Sequence, residues 1–80
     1  LCLIRISAKT KRKPEEVMEK AVQYFSSELG LKLTDRSECC AYFEGAGGHV
    51  KVSLSVDADT EVEVESREWE HQAKEFLKKL

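Results

Sequence analysis

The chain has 80 residues, 41% hydrophobic and 35% charged, and its 13 lysines and arginines against 15 aspartates and glutamates leave a formal charge of −2. A chain this short has room for one domain, and the near-neutral balance excludes bulk attraction to nucleic acid or anionic membrane. Size scaling predicts roughly 4,900 Å² of folded surface, with only about 63% of the unfolded surface buried. No stretch approaches the ~20 apolar residues of a membrane helix, and no segment reads as a secretory leader. Three cysteines cannot all pair within one chain, and a bridge between adjacent Cys39 and Cys40 would strain the peptide joining them. A reducing compartment fits best, so a soluble cytoplasmic protein is expected.

The first strand is read over Leu1 to Ala8, with Cys2, Ile4, Ile6 and Ala8 on one face. It runs into the basic turn Lys9-Thr10-Lys11-Arg12-Lys13. Pro14 then suits the first position of a helix, with Glu15, Glu16 and Glu19 near its positive end. Val17, Ala21, Tyr24, Phe25 and Leu29 make one apolar stripe over 14–29, closed by Gly30 as a left-handed C-terminal residue. Leu31 and Leu33 predict a short strand over 31–34, running into the polar stretch Thr34-Asp35-Arg36-Ser37. Alternation then places Cys39, Ala41 and Phe43 on one side and Cys40, Tyr42 and Glu44 on the other. Two more strands follow, one with Val50, Val52, Leu54 and Val56 inward, the other with Val62 and Val64 inward. From Glu68 onward, Trp69, Ala73, Phe76, Leu77 and Leu80 trace a second helical stripe.

Faces constrain register, because a one-residue slip would expose every apolar side chain. With Ala46-Gly47 as a hairpin loop, Gly45 faces Gly48, Phe43 faces Val50, Ala41 faces Val52 and Cys39 faces Leu54. On the next hairpin, Val56 is expected opposite Val62 and Leu54 opposite Val64, with Ala58-Asp59-Thr60 as the loop. The expected fold class is α+β, in the order β-α-β-β-β-β-α: an antiparallel sheet of four or five strands with both helices on one face.

That order resembles the helix-grip and TATA-binding-protein-like arrangement, in which a curved sheet wraps a long C-terminal helix, in the manner of a minimal START-like or polyketide-cyclase-like domain. The resemblance covers the whole chain as topology. The Gly45-Ala46-Gly47-Gly48 turn and the Arg67-Glu68-Trp69-Glu70 segment are also similar to features of small uncharacterised prokaryotic proteins. Helix-grip proteins hold lipids or hydrophobic small molecules between sheet and final helix, so the resemblance implies a pocket walled by Cys39, Val52, Leu54, Val64, Trp69 and Phe76. The same residues also read as a packed core. Helix-grip proteins are longer than this chain and carry an insertion near the first helix that it lacks.

No catalytic or cofactor site is expected. Glu68 and His71 share a helix face, as in di-iron bundles, but the required second motif is missing. Glu44 lies opposite His49 on the outward sheet face, away from His71. Cys39 and Cys40, on opposite faces of one strand, make a poor zinc site. Cys39 is expected to be inward and inert, and Cys40 outward near Ser53, Tyr42 and Lys51. The glycine-rich turn joins strand to strand, whereas phosphate loops lead into a helix. Lys9, Lys11, Arg12 and Lys13 form a basic patch without interleaved aromatics for base stacking. Asp57, Glu61, Glu63 and Glu65 form an acidic outward row, which supplies the competing reading: a protein-interaction or self-association module that docks a basic partner or a second copy. A monomer or weak homodimer is expected.

Overall fold

The computed structural model describes residues 3–45 and 47–80. Along the chain it runs through β1 (Leu3–Thr10), α1 (Pro14–Val22) with a π-helical continuation over Gln23–Glu28, β2 (Lys32–Arg36), β3 (Cys40–Gly45), β4 (Gly48–Val56), β5 (Thr60–Arg67) and α2 (Glu70–Lys78). The strands form one antiparallel sheet in the order β1-β5-β4-β3-β2. Both helices lie on one face, α1 over β3 and β4 and α2 over β5 and β1, so the class is α+β as expected. The accessible surface of 5001 Å² agrees with the size scaling. Cys2, assigned to the inward face of the first strand, lies outside the described residues.

The core is a single layer. Ala41 and Phe43 of β3, Val50, Val52 and Leu54 of β4, and Val62 and Val64 of β5 face Val17, Met18, Ala21 and Phe25 from α1 and its continuation, and Ala73 and Phe76 from α2. Phe25 joins the three components, its ring 5.4 Å from that of Phe43 and 5.2 Å from that of Phe76. Pro14 starts α1 where a missing N–H costs nothing, and Glu16 pairs with Arg12. The helix then widens: the Leu29 N–H reaches the Tyr24 carbonyl at 3.1 Å and the Leu31 N–H the Phe25 carbonyl at 2.9 Å. Gly30 supplies the positive φ of 76° that turns the chain toward β2. β2 runs past the expected 31–34 strand to include Asp35 and Arg36 of the polar stretch, with a register shift between Leu33 and Asp35. There the Thr34 hydroxyl donates to the Tyr42 carbonyl at 3.1 Å.

The β3–β4 hairpin pairs Phe43 with Val50 and Ala41 with Val52, as the faces require. The β4–β5 hairpin is a correction. Val52 opposes Val64, Leu54 opposes Val62 and Val56 opposes Thr60, two residues away from the expected register. A two-residue slip preserves every face, so alternation could not decide it. The turn decides: the Asp57 N–H donates to the Asp59 carbonyl at 3.0 Å, and the buried Thr60 hydroxyl donates to the Arg12 carbonyl at 2.8 Å. Asp57 therefore belongs to the turn rather than to the outward row.

The two segments that the sequence singled out separately meet at the other end of the sheet. The Trp69 indole N–H donates to the Gly45 carbonyl at 3.1 Å, and Gly48 lies against Arg67 and Glu68. Glu68 takes a left-handed φ of 74°, which costs a non-glycine residue about 1 kcal/mol, and α2 begins only at Glu70. A Cβ on Gly48 would stand 2.2 Å from the Arg67 carbonyl oxygen, whereas one on Gly45 would meet only the movable Leu31 Cδ2, at 2.5 Å. Gly48→Ala is therefore expected to lower the thermal midpoint by clearly more than Gly45→Ala. Equal midpoints for the two variants would contradict this contact.

Candidate functional site

The open face of the sheet carries polar and charged side chains in cross-strand rows. Glu65 stands between Arg5 of β1 and Lys51 of β4, and Glu61 stands beside Lys9. Arg5 Nη2 lies 2.8 Å from Glu65 and its Nε 3.8 Å from Glu63, while His49 Nε2 lies 3.7 Å from Glu65. The His49 imidazole stacks on Tyr42 with centroids 5.4 Å apart. The row of glutamates read from β5 alone is thus largely neutralised by its neighbours, which strand order hides from a linear reading. The Arg5 hydrogen bond, aided by its charge, holds the Glu65 carboxyl below the usual carboxylate range.

A groove of about 900 Å³ opens on the covered side of the molecule, between the first turns of α1, the end of β4 and the β2–β3 turn. Its apolar surface comes from Pro14, Met18, Leu54 and Val56. Met18 and Leu54 are nearly buried, whereas Val56 is 67% exposed, more than any other large hydrophobic side chain described. Glu15, Glu19, Arg36, Ser37, Glu38 and Cys39 rim it. Arg36 Nη2 bonds Glu19 at 3.2 Å and ties β2 to α1, while Glu15 and Glu38 make no ion pair among the described residues. The rim therefore carries a net negative charge over an apolar floor.

The six residues expected to wall one pocket divide between two places. Val52, Val64 and Phe76 are fully buried in the core, and half-buried Trp69 packs against that core beside the β3–β4 hairpin. Leu54 and Cys39 border the groove. Cys39 is a correction: it precedes β3 and is exposed, not inward. The Leu54 N–H still bonds its carbonyl at 2.7 Å, so the backbone partner is the expected one, but the turn before β3 breaks the side-chain alternation. Cys39 and Cys40 consequently lie on the same side, with their sulfurs 2.8 Å apart. Donation from Cys40, then from Ser37, lowers the Cys39 pKa below that of an ordinary thiol, and the same contact raises that of Cys40. Two adjacent cysteines just after a polar turn were the available signal for this pair.

Among the described residues, no three His, Cys, Asp or Glu side chains converge as a metal ligand set. No described helix is long and apolar enough to cross a membrane. No family model matches the chain, and no curated protein matches it.

The Arg5–Glu65 pair gives a pH prediction with a definite sign. A carboxyl whose folded pKa is lowered adds stability that is present above its unfolded pKa and lost as pH falls through the folded value. In urea melts, Arg5→Gln should therefore be less stable than the parent near neutral pH, and the difference should vanish in acid below the carboxylate range. A difference that persists undiminished in acid would contradict the pairing.

Proposed function

We propose that the chain is a small non-catalytic binding domain of helix-grip-like architecture, and that its ligand is a small amphiphile with an apolar body and a cationic head. The ligand lies in the groove between α1 and the end of β4, rather than beneath α2. One observation carries the reading: Met18, Leu54 and Val56 present an apolar floor beneath a rim where Glu15, Glu19 and Glu38 outnumber Arg36. Apolar burial supplies affinity and the rim selects the sign of the head group. The groove volume of about 900 Å³ falls in the usual range for small-molecule sites. Filled side chains beneath α2 favour this location over the one that the helix-grip resemblance implies. The competing reading, docking of a basic partner on Glu61, Glu63 and Glu65, is weakened by Arg5, Lys9 and Lys51 standing among them.

Calorimetric titration with decylamine and with decyl sulfate, both below micelle formation, tests the proposal. The amine should bind and the sulfate should bind at least about tenfold more weakly, a difference of about 1.4 kcal/mol. Val56→Arg should reduce amine affinity by a similar factor while the chain stays folded, since Val56 packs little. Equal affinity for the two amphiphiles, or an amine affinity unmoved by Val56→Arg, would overturn the assignment.

A further inference from the structure

We propose that Cys39 and Cys40 form a thiol–disulfide exchange site whose substrate is a low-molecular-weight disulfide, with Cys39 as the attacking thiol and Cys40 as the resolving one. The inference is independent of the groove's ligand. Its basis is placement: both thiols are free, their sulfurs are 2.8 Å apart, and both main-chain carbonyls are held, that of Cys39 by the Leu54 N–H at 2.7 Å and that of Cys40 by the Ser37 N–H at 2.8 Å. Exposure orders the two roles. Cys39 is open to solvent, whereas Cys40 is half-buried at the start of β3, so an incoming disulfide meets Cys39 first. The hydrogen bonds that Cys39 Sγ shares with Cys40 and with Ser37 at 3.6 Å favour its thiolate, the reactive form.

The exchange balances without any further reactant. The Cys39 thiolate attacks one sulfur of R–S–S–R, the substrate S–S bond breaks, and the departing thiolate takes up the proton that Cys39 released. Cys40, giving its proton to solvent, then attacks Cys39 Sγ within the mixed disulfide. The Cys39–Cys40 bond forms and the second substrate thiolate leaves, recovering a proton. The protein dithiol is oxidised by two electrons and the substrate is reduced to two thiols. The strain that makes bridges between neighbouring cysteines rare also leaves such a bridge open to attack by thiols, which suits reversible exchange rather than a structural crosslink.

The test uses the full chain with Cys2→Ser, so that the pair holds the only thiols, incubated with oxidised glutathione and followed by intact-mass spectrometry after acid quenching. The parent should lose two hydrogens and retain no glutathione. Cys40→Ser should accumulate one glutathione on Cys39, and Cys39→Ser should react at least tenfold more slowly than Cys40→Ser. In urea that rate difference should disappear, because it comes from the fold. A parent that stops at a stable glutathione adduct, equal rates for the two folded variants, or a difference that persists in urea would each overturn the proposal.

Discussion

The sheet has one covered face, and the alternation of β4 and β5 creates it. These central strands place Val50, Val52, Leu54, Val62 and Val64 on the same side, and both helices must lie there because the other side carries charge. The strand order β1-β5-β4-β3-β2 adds a second demand: the connection from β1 to β2 has to cross from one edge of the sheet to the other. α1 and its π-helical continuation make that crossing, and Phe25 is the residue that packs on β3 and on α2 at once. With a single apolar layer in 80 residues, little burial is spare and core voids are costly. Filled space beneath α2 follows from that economy.

The groove has a complementary origin. α1 starts at Pro14, and the end of β4 runs out from under it, leaving Val56 uncovered beside Met18 and Leu54. The β2–β3 turn borders the same end, which brings Arg36, Glu38 and Cys39 to the rim and, by interrupting alternation, sets two sulfurs side by side. The proposed recognition groove and the proposed thiol site are thus neighbours because Cys39, in the β2–β3 turn, borders the end of β4 that α1 leaves uncovered. The opposite face is occupied with its own charges, Arg5 with Glu63 and Glu65, and Lys9 beside Glu61.

Much of this architecture was legible in the sequence because periodicity reports faces. The stripe from Val17 to Phe25 and the inward placement of Ala41, Phe43, Val50, Val52, Leu54, Val62 and Val64 follow from apolar spacing alone, as does the pairing of Phe43 with Val50, whereas Val56, expected inward with them, is left exposed at the end of β4. What periodicity cannot report is anything invariant to a slip of two, which is why the β4–β5 register required the Thr60 hydroxyl and the Asp57–Asp59 turn. It also cannot report which strands become neighbours. Glu61, Glu63 and Glu65 read as an acidic row until β1 and β4 flank them with Arg5, Lys9 and Lys51. Cys39 had the correct backbone partner and the wrong exposure, since a side chain one residue outside a strand is no longer bound by its alternation.

Apolar space is accessible at the α1–β4 end, whereas beneath α2 the side chains of Val52, Val64 and Phe76 fill it. Relaxation of methyl and aromatic protons by dissolved molecular oxygen, which enters accessible apolar space, measures this directly. The largest enhancements are expected at Met18, Leu54 and Val56 and small ones at Val52, Val64 and Phe76. Large enhancements at Val64 and Phe76, with none at Val56, would contradict it and move the site beneath the C-terminal helix.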